Sequence, residues 1–139
     1  AGYLDVPESL ADFTHRIQRL PFMDFLGLQR AIAEVTLNLS PIQHNVFAHS
    51  KSELKYFEAA AVGVPTVASP APIFTDTITH EANGYLADAA DWPDVLLGAL
   101  ADEKSRKAVA KQALQHVGAH YTRVTVAPKI TEVLAKLGS

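Results

Sequence analysis

The feature that most constrains the fold of this chain is an alternation of strand-like and helix-like segments through its first two-thirds. Short apolar runs typical of buried strands, at residues 36–40 and 66–69, alternate with segments whose apolar residues recur at helical spacing. Strands that are joined through helices form parallel sheets with right-handed crossovers. We therefore predict an α/β fold with a Rossmann-like parallel sheet and a helical C-terminal tail.

The remaining elements of the first two-thirds are predicted from local signals. A short strand is expected over residues 2–6, and a weak alternation covers residues 15–20. Asp24 is placed to cap a helix whose apolar positions run from Phe25 to Val35. The other predicted elements are a helix from about Ser50 to Val62 that ends at Gly63 and Pro65, a brief helix over residues 74–79, a turn at Asn83-Gly84 and a strand over residues 85–87.

The pattern after Asp91 is entirely helical, with three apolar stripes at helical spacing. We expect Asp102 to cap the second of these helices and Pro128 to lie in the first turn of the third. The stripes are Trp92, Val95, Leu96 and Ala99, then Val109, Ala113, Leu114 and Val117, then Val126, Ile130, Val133, Leu134 and Leu137.

Composition excludes several classes of protein. The 139 residues are 48% hydrophobic and only 19% charged, which indicates a globular domain with a substantial core. The formal charge of −3 provides no basic surplus for nucleic acid, and the absence of cysteine excludes disulfides and thiolate metal sites. No apolar run is long enough for a transmembrane helix. The chain lacks a signal peptide and an initiator Met, so we expect it to be a piece of a longer protein.

The helix predicted after the second strand carries the candidate chemistry. Ser50 and Glu53 form a Ser-x-x-Glu capping box, and the amino end of a helix attracts anions. A helical wheel places Leu54, Phe57 and Ala61 on the apolar stripe, with Glu58 beside it.

Residue spacing alone leaves two interpretations of this helix edge. In one, Lys55 and Glu58 form an ion pair on a solvated edge. In the other, Lys51 or Lys55 binds a diphosphate and Glu58 accepts hydrogen bonds from ribose hydroxyls, which suits a carboxylate because it is only an acceptor.

Residues 51–69 resemble the nucleotide-sugar-binding segment of the GT-B glycosyltransferases. The family pattern is a glutamate on a helix, small residues, and then Gly-x-Pro-x-Val-Ala at the next strand. Here it corresponds to Glu58 with three alanines after it, then Gly63-Val64-Pro65 and Thr66-Val67-Ala68. The flanking residues 37–41 and 83–86 are similar too, and the resemblance covers roughly residues 15–120. Within that family the segment most resembles the bacterial retaining enzymes of glycosyltransferase group 1, family 4-like, which build surface polysaccharides.

This resemblance implies a glycosyltransferase domain that binds a nucleoside-diphosphate sugar for polysaccharide or glycoconjugate synthesis. It implies that donor binding needs no metal or other cofactor. It also implies that this domain works with an N-terminal acceptor-binding domain of the same protein. The fragment is then expected to be inactive alone, and the protein to be cytoplasmic or peripheral to the inner face of the membrane. No catalytic residue is assigned. The donor-binding residues that it implies are Ser50, Lys51, Ser52, Lys55 and Glu58.

The sequence departs from the family pattern at the amino end of this helix. The family commonly has two glutamates eight positions apart. Glu58 corresponds to the later one, and Ser50 stands at the position of the earlier one. Lys51 and Glu53 occupy positions that are often glycine. Some relatives do carry lysine at the position of Lys55, which supports a phosphate role. The departures leave open which sugar is bound.

Other functions compete with this one. A non-catalytic α/β binding or scaffolding module could keep the fold without donor binding, and a flavodoxin-like regulatory domain would need Asp5 or Asp24 as a phosphoacceptor. His44 and His49 are interpreted as loop histidines. His116 and His120, four residues apart on one helix, could hold a metal, but no third ligand is evident in the sequence. Ser40 and Ser69 lack the Gly-x-Ser-x-Gly setting of a hydrolase nucleophile.

Two placements follow from this interpretation. We predict that Glu58 lies on the carboxyl-end side of the sheet, in a cleft lined by Ser50 and Lys55. We also predict that the closing helix, about residues 122–137, has an apolar stripe that this chain only partly covers.

Overall fold

The fold is an alternation of helices and parallel strands, seen in a computed structural model that describes residues 6–42 and 51–137. A 3₁₀ helix, Glu8–Arg16, comes first. The elements that follow it are α1 (Phe25–Ala33), β1 (Asn38–Ser40), α2 (Leu54–Ala61), β2 (Thr66–Ala68), α3 (Pro72–Thr75), β3 (Tyr85–Leu86), α4 (Trp92–Ala101), α5 (Glu103–His120) and α6 (Arg123–Leu137).

The described strands form one parallel sheet in the order β1-β2-β3, which confirms the predicted architecture. Ser40 pairs with Ala68, and Ala68 pairs with Leu86, so the three strands end side by side. The central strand β2 is buried along its whole length, because helices cover both faces of a parallel sheet.

Two apolar clusters fill the two faces of the sheet. Successive residues of a strand point to opposite faces, and Val67 and Ala68 accordingly belong to different clusters. The first cluster, under α2 and α5, contains Tyr56, Ala60, Ala68, Phe74, Ile78, Ala113 and Val117. The second, under α4, contains Val67, Tyr85, Ala87, Ala99 and Val109, with Trp92, Val95 and Leu96 packed against it.

The predicted helix boundaries that rest on capping residues are confirmed. The Asp24 carboxylate accepts a hydrogen bond from the Gly27 amide at 2.7 Å, and that of Asp102 accepts one from the Ser105 amide at 2.9 Å. Gly63, with φ of 75°, ends α2 in a left-handed conformation that favours glycine. The amides of Gly63 and Val64 then donate to the last free carbonyls of α2, a Schellman ending.

Several sequence predictions need correction. Residues 15 and 16 belong to the 3₁₀ helix and residues 17–20 form no strand, because the weak alternation there has no neighbouring strand to pair with. The brief helix runs over Pro72–Thr75 instead of 74–79, since proline favours the first helical turn. Leu114 is 45% exposed, and Ala110 takes its place on the buried face of α5. The strand predicted at residues 2–6 lies almost wholly outside the described residues.

The closing helix α6 leaves its apolar stripe exposed, as predicted. None of its residues is buried, and Leu137 is 78% exposed. Pro128 is the sixth residue of α6, so the prediction that it lies in the first turn is wrong. The helix accommodates it beyond that turn, where proline removes one backbone hydrogen bond. Across the part of the chain that is described, no helix combines the length and apolarity needed to cross a membrane.

Candidate functional site

The carboxyl edge of the sheet forms a cavity of about 450 Å³. In open α/β sheets, ligands bind outside the carboxyl ends of the strands, where several loops meet. The residues that line this cavity follow directly after β1, β2 and β3 or begin α4, namely Pro41, Ile42, Ser69, Pro70, Ala87, Ala89 and Trp92.

Short hydrogen bonds hold the loops of this edge in place. The Ile42 amide donates to the Ser69 hydroxyl at 3.0 Å, and the Ser69 amide donates to the Ser40 carbonyl at 3.2 Å. The Ala87 amide donates to the Ala68 carbonyl at 3.0 Å. The two backbone bonds extend the ladder of the sheet by one residue on each side of β2, and the bond to the Ser69 hydroxyl ties the loop after β1 to the loop after β2.

Ser40 places an unused polar atom at this edge. Its side chain is fully buried, and its hydroxyl has no hydrogen-bond partner among the residues that the structure describes. Leaving a buried hydroxyl unpaired costs about 1–3 kcal/mol, so such atoms are uncommon in folded proteins. Sequence reasoning considered Ser40 only as a nucleophile and missed this feature.

Helix α2 begins later than the sequence indicated. It starts at Leu54, with Glu53 at the N-cap position, and the Glu53 side chain makes no capping hydrogen bond. The predicted start at Ser50 is therefore wrong. Glu53 instead faces Tyr121, whose pKa is raised first by burial and also by its interaction with the Glu53 carboxylate.

The apolar face of α2 also differs from the predicted one. Tyr56, Ala59 and Ala60 are the buried residues, whereas Leu54 is 44% exposed and Ala61 is exposed as well. Tyr56 packs between α2 and α5, and the small side chains of Ala59 and Ala60 permit close approach to the sheet and to α5. The predicted stripe of Leu54, Phe57 and Ala61 is therefore wrong for Leu54 and Ala61.

The predicted donor-binding residues lie on and before α2. Lys51 and Ser52 are exposed and precede the helix, and Ser50 lies outside the described residues. Lys55 is exposed in the first turn, and Glu58 is half-buried in the second. Lys55 and Glu58 form no ion pair with each other. The first interpretation of this helix edge, a Lys55–Glu58 ion pair, is therefore not observed.

The direction of α2 follows from the topology. It connects two neighbouring parallel strands, so it runs against them, and its first turn faces the carboxyl edge of the sheet. The Asn38 amide group donates to the Lys55 carbonyl at 3.1 Å and to the Thr66 hydroxyl at 3.1 Å, which ties the Lys55 carbonyl to the first residues of β1 and β2. The positive dipole end of α2 is on the carboxyl side of the sheet by this topology, and no residue of α2 is part of the cavity lining.

An aromatic and histidine cluster supports α2 from α5. The Tyr56 hydroxyl lies 2.9 Å from Nδ1 of His116, and burial, followed by the charge of Tyr121, raises the Tyr56 pKa to about 12. The rings of Phe57 and Tyr121 stack with centroids 5.3 Å apart. These contacts join the first two turns of α2 to the C-terminal end of α5.

The same cluster predicts a pH dependence of stability. Burial, and next the charge of His120, lower the pKa of His116 below its ordinary value of 6.5. The unfolded chain therefore binds this proton at a higher pH than the folded chain does, and stability falls as pH drops from about 6.5 toward the folded pKa. We expect the melting temperature of the parent chain to fall more between pH 7 and pH 5 than that of His116→Gln. Equal falls would contradict this assignment.

A second cavity, of about 620 Å³, lies between the loop before β3 and α5. It is lined by polar residues that include Glu81, Asn83, Gln112 and His116. The Asn83 side chain already has hydrogen-bond partners: its oxygen accepts from the Thr79 amide, and its nitrogen donates to the Thr77 carbonyl. We assign the candidate site to the smaller cavity, because that one lies where the three strand ends meet.

The described residues, 6–42 and 51–137, contain no group of three or more His, Cys, Asp or Glu that could hold a metal ion. The cavity at the carboxyl edge is instead lined by Ser69, Trp92, two prolines and small or aliphatic residues. This mostly apolar lining suits an uncharged ring system.

Comparison with known proteins identifies the family. The family model described as glycosyl transferase-like matches residues 12–132, so the chain belongs to that family. No curated protein sequence matches the chain at a significant level.

Solved structures share the fold. The chain matches HepE from Anabaena, solved in complex with UDP and glucose, with a TM-score of 0.66 and 19% identity over 77% of this chain and 29% of HepE. A HepE complex with UDP-glucose gives a TM-score of 0.62. The C-terminal domain of LpcC, a glycosyl transferase group 1 family protein from Francisella tularensis, gives 0.56 at 19% identity, over 84% of this chain and 66% of that one.

These matches confirm that the fold is that of GT-B group 1 glycosyltransferase C-terminal domains. The match spans 29% of the HepE chain, so the likeness concerns one part of that protein.

Proposed function

We propose that this chain binds a nucleoside-diphosphate sugar at the carboxyl edge of its sheet and serves as the donor-binding part of a glycosyltransferase. The observation that carries this proposal is the cavity at the strand ends, on the sheet that α2 packs against while bearing Lys55 in its first turn and Glu58 in its second. The likeness to HepE, which was solved with UDP and glucose, supports a nucleotide of that kind.

Each part of the donor has a proposed place. Lys55, with Lys51 and Ser52 before it, neutralises the diphosphate at the amino end of α2, and Ser50 belongs to the same group. Glu58 accepts hydrogen bonds from the ribose hydroxyls. The apolar cavity lined by Pro41, Pro70 and Trp92 takes the uncharged base. Since dipole and lysines balance the phosphate charge, we expect donor binding here to need no metal or other cofactor.

The rest of the reaction is proposed from the family resemblance. An N-terminal domain of the same protein would bind the acceptor, and the exposed stripe of α6 offers an apolar surface on which such a domain could pack. Transfer would then retain the anomeric configuration and serve polysaccharide or glycoconjugate synthesis in the cytoplasm. The chain alone would bind the donor without transferring the sugar.

Calorimetric titration of the chain with UDP and, separately, with uridine tests the donor site. Glu58→Gln keeps the shape of the side chain and removes its charge, so we expect UDP binding to weaken by about 1–3 kcal/mol, the range for a charged hydrogen bond. Lys55→Met should weaken UDP binding but leave uridine binding almost unchanged, because uridine has no phosphate.

Matched controls separate binding from folding. Glu8→Gln in the 3₁₀ helix and Lys104→Met in α5 remove the same charges from exposed positions on other elements, and both should leave UDP affinity unchanged. Equal UDP affinity of the parent chain and the two α2 variants would reject the donor-site assignment. Lack of saturable UDP binding by the parent chain would favour a binding or scaffolding module without donor affinity.

A further inference from the structure

Two imidazoles lie side by side at the C-terminal end of α5. His116 and His120 are four residues apart, so they share one face of the helix, and their ring centroids are 4.8 Å apart. Neutral imidazole is the commonest metal ligand in proteins. The backbone of one helix therefore holds two nitrogen donors at neighbouring positions.

Tyr56 fixes the orientation of the first imidazole. Its hydroxyl lies 2.9 Å from Nδ1 of His116, and its side chain is fully buried, so it is held in place by the packing of α2 against α5. This contact occupies Nδ1 and leaves Nε2 of His116 as the available donor. Metal-binding histidines usually have such an outer partner on their other ring nitrogen.

The surroundings favour a cation at this position. His120 is the last residue of α5, where the helix dipole is negative and attracts positive charge.

We propose that His116 and His120 form a two-imidazole site for a divalent metal ion of the Zn²⁺, Ni²⁺ and Cu²⁺ type. Water completes the coordination, since no third His, Cys, Asp or Glu joins the pair within the described ranges. Imidazole nitrogen suits these ions, whereas Mg²⁺ prefers oxygen ligands. The site is distinct from the proposed donor site on Lys55 and Glu58, and it does not depend on the proposed function.

The test is a Zn²⁺ titration of the ¹⁵N-labelled chain without nucleotide, in which NMR monitors the imidazole nitrogens. We expect the His116 and His120 resonances to shift together with one affinity and a stoichiometry of one ion per chain. In calorimetry, Cu²⁺ should bind more tightly than Ni²⁺, as the general order of divalent affinities requires, and Mg²⁺ should give no signal.

Variants make the test specific. His120→Ala removes an exposed ligand without disturbing the core, and it should lower Zn²⁺ affinity at least tenfold. Tyr56→Phe, which removes the outer partner, should lower it by about tenfold or more. His15→Ala, on the 3₁₀ helix, is the matched control and should change nothing.

Three results would overturn the proposal. They are Zn²⁺ shifts confined to other histidines, unchanged affinity in His120→Ala, and absence of binding at millimolar Zn²⁺. Because the readout is metal binding without nucleotide, none of them bears on whether UDP binds at the carboxyl edge of the sheet.

Discussion

Replacing Tyr56 with alanine should lower the free energy of unfolding by about 3–5 kcal/mol, the usual cost of truncating a large buried aromatic side chain. Tyr56 is fully buried between α2 and α5, where it contacts the cluster that includes Ala60, Ala113 and Val117. The loss should appear as a lower urea midpoint with little change in the slope of the transition, measured by circular dichroism.

Two further variants show what Tyr56 contributes. Tyr56→Phe keeps the ring and removes only the hydrogen bond to His116, so we expect a loss of about 1 kcal/mol. Leu54 lies two residues earlier on the same helix and is 44% exposed. Leu54→Ala should therefore lower the free energy of unfolding by about 0.5 kcal/mol or less. A larger cost for Leu54→Ala than for Tyr56→Ala would mean that α2 has the orientation predicted by the helical wheel.

The fold was predictable because its determinants are local. The prolines and glycines after the strand-like runs, the aspartates at helix starts and the glycine after α2 each act within a few residues of the chain. Asp24, Asp102 and Gly63 all have the capping roles that the sequence indicated. The parallel order then follows from the alternation of strands and helices.

The orientation of α2 could not be predicted in the same way. Six of its eight residues are apolar or aromatic, namely Leu54, Tyr56, Phe57, Ala59, Ala60 and Ala61, so no single face stands out in the sequence. Packing decides the orientation: Tyr56 has a hydrogen-bond partner on α5, and Leu54 does not have a buried place to occupy. Only the three-dimensional arrangement of α2 and α5 contains that information.

The candidate site was predictable in part for a related reason. Lys55 and Glu58 lie on one short segment that resembles a known family, and sequence alone could place them on the same helix. The cavity at the strand ends combines Pro41, Ser69 and Trp92, which are far apart in the chain. Sequence reasoning assigned Trp92 only to the core, because its role as a cavity wall depends on where three separate loops meet.

Replacing Phe74 with alanine should also cost about 3–5 kcal/mol, and here the loss should have a local component. Phe74 is 1% exposed and belongs to the one-turn helix α3, which is too short to be stable without packing. Its amide bonds the Ala71 carbonyl, and its own carbonyl accepts from the Thr77 and Ile78 amides, so the whole segment after β2 depends on this anchor.

Hydrogen exchange measured by mass spectrometry would resolve the local component. In Phe74→Ala, peptides covering residues 70–79 should exchange faster than in the parent chain by more than peptides covering α4 do, because α4 packs on the other face of the sheet. Ile73→Ala is the matched control: it removes a neighbouring, half-buried side chain and should change this segment much less. Uniform acceleration across the chain would mean that the segment unfolds only with the whole domain. Since Pro70 belongs both to this segment and to the cavity lining, local opening in Phe74→Ala should also weaken UDP binding if the base lies in that cavity.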